Sequence, residues 1–208
     1  MGFSIVAGTR SGPRIREAQP SAVKACVLDT GKSVLTFGGY SASGYEDPQA
    51  MRARAELELA ARRPADTLVN IGATAVGIGA VYDLAKRMGF TTMGIVSSRA
   101  RDEKVELSRG VDLVFYVPDP SWGGRLRHSE RLSPTSEAIV LVSGTYIAIG
   151  GGEIARDELL AMRQAGRTTV FVPADTNHQL ALEQARKAHR PKPTDFRGAA
   201  HAAFMPAS

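Results

Sequence analysis

The chain has 208 residues, 43% of them hydrophobic and 23% charged, and a net charge of +5. That length suits one sizeable core, no run nears the roughly 18 apolar residues that span a bilayer, and the first residues lack the basic and apolar regions of a secretion signal. The single cysteine, Cys26, excludes an internal disulfide and fits a cytoplasmic protein, while four dispersed histidines offer no metal-ligand spacing.

In chain order, residues 1–31 carry Gly8, Gly12, Pro13 and Pro20 among polar residues, which predicts an irregular or partly strand-forming extension. Cys26 lies in the apolar run Val23–Leu28 and reads as a small core residue. Val34–Phe37 predicts a buried strand that ends at Gly38-Gly39 and a polar loop through Gly44. Asp47 followed by Pro48 is a helix start, with a capping side chain and then a proline at the first helical position. This helix should run to about Arg63, where Pro64 stops it.

Thr67–Ile71 predicts a second strand, leading into the small-residue stretch Gly72–Gly79 and a helix to Met88, with Gly89 as its C-terminal cap. Thr91–Val96 is the next strand, Arg99–Arg109 a short charged helix, and Val111–Val117 a further strand rich in β-branched and aromatic residues. Pro118–Pro134 has no periodicity and predicts a long surface loop of the kind that often binds or covers a ligand. Ala138–Val142 reads as a strand and Tyr146–Ile149 as a second apolar piece. The triplet Gly150-Gly151-Gly152 and an amphipathic helix follow, whose core face should be Ala155, Leu159 and Met162. Thr168–Val172 (strand), Thr176–Lys187 (helix) and a surface-bound or disordered tail complete the chain.

Strands alternating with helices predict an α/β fold of three layers, with a largely parallel sheet and helices on both faces. A single domain is expected over residues 1–189, with residues 190–208 as tail. The basic residues cluster near the ends (Arg10, Arg14, Arg16 and Lys24; Arg186, Lys187, Arg190, Lys192 and Arg197), where they read as solvated termini or as a basic rim for a phosphorylated ligand. They form no helical stripe with interleaved aromatics, which argues against nucleic acid as a partner.

In open parallel sheets, ligands bind beyond the carboxyl ends of the strands. Three such ends here are rich in small residues, and they predict a shared phosphate- or nucleotide-like site. Its expected ligand-binding residues are Gly39, Ser41 and Ser43 from the first; Gly72, Ala73, Thr74, Gly77 and Gly79 from the second; and Gly150, Gly151, Gly152 and Glu153 from the third, with Ser97 at a neighbouring strand end. Glycine lets the backbone approach a ligand, and the helix after the triplet would aim free N–H groups at an anion. Of the acids on that helix, Glu153 or Glu158 could meet a ribose hydroxyl or act as general acid/base; first-turn acids also simply complement the helix dipole. Arg125, Arg127 and Arg131, with His128, could clasp phosphate or keep the loop soluble.

Two nucleotide motifs are excluded. Gly31-Lys32-Ser33 precedes a strand, whereas a P-loop lysine opens a helix, and Cys26 occupies the place of the first glycine. Thr74 replaces the second glycine of the dinucleotide fingerprint, and the next strand ends in Ser97-Ser98-Arg99 without the ribose-binding acid.

Gly72–Gly79 with its helix, and Ile149-Gly150-Gly151-Gly152 through Glu158, resemble the glycine motifs of the Rossmann-like SLOG superfamily, the second in the place of its P-G-G-x-G-T-x-x-E segment. That superfamily includes the Lonely Guy phosphoribohydrolases, often called lysine decarboxylase-like, and the molybdenum cofactor carriers. The resemblance implies a bound AMP-like nucleotide or phosphorylated cofactor, and a homodimer or higher homo-oligomer; no required cofactor and no metal are expected. It also implies, as an alternative, hydrolysis of the N-glycosidic bond of a nucleoside 5'-monophosphate, with Glu158 and Arg131 as catalytic residues and Glu153 as the alternative acid. A cofactor carrier or DNA-processing module is a third reading.

Overall fold

The computed structural model describes residues 12–205; Gly8 and Arg10 lie outside them. Seven strands form one parallel sheet in the order β1-β5-β4-β3-β2-β6-β7. They are β1 (Arg14–Glu17), β2 (Ser33–Gly39), β3 (Thr67–Ile71), β4 (Thr91–Ser97), β5 (Leu113–Val117), β6 (Thr145–Ile149) and β7 (Thr168–Val172). This is a Rossmann-like α/β fold. The inner strands are buried on both faces and are mostly apolar, with a few buried polar residues such as Asn70.

Helices cover both faces. On one lie α2 (Pro48–Ala60) and α3 (Ala80–Arg87), whose Met51, Ala55, Leu59, Val81 and Tyr82 join Leu35, Phe37, Val69 and Ile71 of the sheet in one core. On the other lie α1 (Pro20–Leu28), α5 (Pro134–Val142) and α6 (Glu153–Gln164), packed with Val34, Leu68, Met93 and Tyr146 in a second core. Three further helices, α4 (Ser98–Asp102), α7 (His178–Lys187) and α8 (Gly198–Phe204), complete the described chain. Among the described residues no helix is long and apolar enough to cross a membrane.

The helix start at Asp47 forms as expected: its carboxylate accepts from the amides of Gln49 and Ala50. The chain differs from expectation at Ala138–Val142, which is not a strand but the end of α5. Its β-branched run suggested a strand, but the start signal wins. Ser133 caps the Ser136 amide, Pro134 takes the first turn, and Thr135, Ala138 and Ile139 form one buried face. The expected charged helix Arg99–Arg109 is limited to α4. The described part of the expected N-terminal extension holds an edge strand paired with β5 and a helix. In the tail, the α8 backbone is tied to the glycine triplet by a hydrogen bond from Ala200 N to Gly151 O at 3.1 Å, and Phe204 stacks on Phe171.

The strand order places the site. The chain moves from β2 to β3 on one side of the sheet, whereas β6 leads to β7 on the other. The connections leaving β2 and β6 therefore diverge and open a crevice at their carboxyl ends.

Candidate functional site: a cleft at the carboxyl edge of the sheet

A cleft of about 860 Å³ lies at this edge. Residues 36–43 at the end of β2 and in the loop beyond it, 70–76 likewise at β3, 95–97 of β4 and 152–155 at the start of α6 all line it. Gly39, Ser41, Ser43, Gly72, Ala73, Thr74, Ser97, Gly152, Glu153 and Glu158 are thus brought together. Gly77, Gly79, Gly150 and Gly151 are not among the lining residues. They shape it from behind: a Cβ on Gly77 would lie 2.3 Å from Tyr40 O, and one on Gly150 2.5 Å from the Tyr40 ring. Both have positive φ (61° and 60°), so a side chain would be strained there as well as crowded.

Of the three acids on α6, Glu153 and Glu158 line the cleft. Asp157 turns to the 118–133 loop, where it accepts from Arg125 N at 3.0 Å and pairs with Arg156. Glu158 is 3% exposed. Ser136 Oγ donates to its Oε1 at 2.6 Å and Tyr146 Oη to its Oε2 at 2.5 Å. Burial raises its pKa to about 7, against the opposing pull of these two donors. Burial and the neighbouring carboxyl also push the Tyr146 hydroxyl well above the usual phenol range.

Arg131 does not line the cleft. It is exposed on the 118–133 loop, where the backbones of Leu126 and Arg131 bond at 2.9 Å. Arg125 pairs with Glu130, and Arg127 and His128 face solvent. The described lining instead holds three carboxylates, Glu106, Glu153 and Glu158, and no Lys, Arg or His. An anion here would be met by backbone amides: Gly152 gives α6 no side-chain cap, so the first-turn amides face the cleft without an intrahelical partner. Among the described residues no group of three or more His, Cys, Asp or Glu is placed to hold a metal ion.

Several cleft residues were not singled out from the sequence. Thr36, Asn70 and Tyr146 stand side by side on β2, β3 and β6, and Trp122 reaches the rim from the long loop, with the Arg99 guanidinium 5.2 Å from its ring centroid. Their signal was present: a polar residue inside a strand buried on both faces needs a partner, as Asn70 does in Thr67–Ile71.

No protein-family model matches the chain, nor does any curated protein. Its backbone is similar to solved structures at low identity. One of the Moco carrier protein from Chlamydomonas reinhardtii is 17% identical, covers 68% of this chain and 76% of that one, and has a TM-score of 0.48. Another, of the molybdenum cofactor carrier protein from the same organism, is 19% identical over 67% and 76%, with a TM-score of 0.47. The protein designated TM1055 is 14% identical over 66% and 72%, with a TM-score of 0.49.

Proposed function

We propose that the protein binds a phosphorylated small molecule, such as a nucleoside monophosphate, in the cleft at the carboxyl edge of its sheet. One observation carries the reading: the uncapped start of α6 and the strand-end loops after β2 and β3 open onto the same space. The amides of Glu153, Ile154 and Ala155 would take the phosphate. Trp122, Val76, Val105 and Ile154 give the rim an apolar surface for a flat ring.

Melting curves with AMP, GMP, CMP, UMP and inorganic phosphate test this, because a ligand specific to the folded state raises its melting temperature. At least one nucleotide should give a saturable rise. No change with any of the five sinks the proposal.

Glu158 supports a second reading, cleavage of the N-glycosidic bond. A carboxyl with a pKa of about 7 that opens onto the cleft is suited to proton transfer near neutral pH. Arg131, exposed and outside the cleft lining, is assigned no role in this reading. Chromatography of each nucleotide after incubation should then reveal free base and ribose 5-phosphate, and Glu158→Gln should abolish both. Saturable binding without base release would retain the first reading and discard this one.

A further inference from the structure

A polar row crosses the cleft floor on the α5/α6 face of the sheet. Thr36 is in register with Asn70 on one side and Tyr146 on the other, on strands roughly 4.8 Å apart. The hydrogen-bond chain at its centre has one direction. Ile139 O is a carbonyl and only accepts, so the Ser143 hydroxyl proton points to it across 2.6 Å. Ser143 Oγ then receives the Thr36 proton at 2.6 Å. Thr36 Oγ1, its own proton committed, accepts from Asn70 Nδ2 at 3.1 Å.

This relay sets the orientation of the Asn70 amide. Its nitrogen turns to Thr36, and its Oδ1 is left buried without a partner. Asn70 is 0% exposed and lines the cleft. A buried amide oxygen without a partner is costly, and having lone pairs only, it is completed by a donor.

We infer that Asn70 is a specificity-determining residue, whose Oδ1 accepts a hydrogen bond from a hydroxyl group of a sugar-like or polyol ligand. The inference deepens the reading of the cleft as a ligand site. The rest of the floor agrees with it. Glu158 brings a further acceptor, and the described lining has no Lys, Arg or His to compete as a donor for Asn70. A ligand ammonium would also donate, but a floor this buried penalises a charge far more than a hydroxyl.

Calorimetric titration with D-ribose, D-ribose 5-phosphate and the 2-deoxy and 3-deoxy forms of each tests the assignment. The wild type should bind at least one deoxy sugar tenfold or more weakly than its parent. Asn70→Leu, which keeps the number and branching of the side-chain heavy atoms and removes the acceptor, should bind the parent tenfold or more weakly and no longer distinguish it from the deoxy form. Should that variant fail to fold, Thr36→Val breaks the relay that orients the amide and should reduce the discrimination severalfold; a merely structural role for Asn70 would leave the ratio between sugars unmoved.

Equal binding of parent and deoxy sugars by the wild type overturns the assignment. So does discrimination that persists in Asn70→Leu or, where only that variant folds, in Thr36→Val, and so does absence of binding by every sugar. Hydroxyl discrimination with no gain from the 5-phosphate would overturn the phosphate reading alone, whereas phosphate-dependent binding without hydroxyl discrimination would overturn this inference alone.

Discussion

Tyr146 donates its phenol proton to Glu158 across 2.5 Å, joining a central strand to the helix behind the glycine triplet at the floor of the cleft. The phenol and the Ser136 hydroxyl are what keep the Glu158 carboxyl as low as about 7 despite its burial. Removing either donor should raise it. In Tyr146→Phe, the pH midpoint of any property that tracks this carboxyl, such as its infrared carbonyl band, should move upward.

The same carboxyl makes stability depend on pH. An ordinary glutamate titrates near 4.5, and Glu158 in the folded chain at about 7. The folded protein thus holds a proton that the unfolded chain has already released. This contribution is complete below pH 4.5 and is lost as pH rises to about 7, amounting to about 3 kcal/mol. Glu158→Gln, which stays neutral, should lose none of it. Its melting temperature should gain on that of the wild type from pH 4.5 to 7 and level off above.

Gly38 makes room for this pair. A Cβ at that position would lie 2.1 Å from Tyr146 Oη. Gly38→Ala should therefore displace the phenol from Glu158 and cost about 2 kcal/mol, as overpacked cores commonly do. Denaturant melts would measure it, and an unchanged midpoint would show that the ring yields without penalty.

The sequence foretold most of the scaffold because its signals are local. Asp47-Pro48 starts a helix and Gly89 ends one, and Thr67–Ile71 and Thr168–Val172 are strands with the expected bounds. Ala138–Val142 misled because a β-branched run has no direction of its own; Ser133 and Pro134, just upstream, decided it. The site was legible as a place more than as chemistry. Gly39, Gly72 and Gly152 meet in the cleft, yet Gly150 and Gly151 serve the packing beneath it, and Arg131 stays in solvent. Pairings such as Tyr146 with Glu158, or Asn70 with Thr36, depend on strand order, which no local pattern encodes.

Glu153 sits where a phosphate would dock, at the first turn of α6. Its negative charge should weaken that docking, so Glu153→Gln should tighten binding of a phosphorylated ligand about threefold. If Glu153 is instead the proton-transferring acid, the same substitution should abolish turnover. Parallel affinity and product measurements separate the two outcomes.

Tyr40 Oη donates to Arg197 O at 2.7 Å, and Ala174 O lies 3.2 Å away, so the phenol ties the chain after α7 to the loop after β2. Tyr40→Phe should cost about 1 kcal/mol. Trypsin should then cut faster at Arg197, which Gly198 follows, as mass spectrometry of the fragments would show.

The contrast between the charge of the whole chain and that of its cleft has a kinetic consequence. A protein with a net charge of +5 draws anions from a distance, and salt screens that attraction. Once inside, the ligand meets carboxylates and backbone amides, with no cationic side chain among the described lining residues. Raising ionic strength should therefore slow the arrival of an anionic ligand while leaving its residence time nearly unchanged. Recruitment belongs to the outer surface, and selection to the floor.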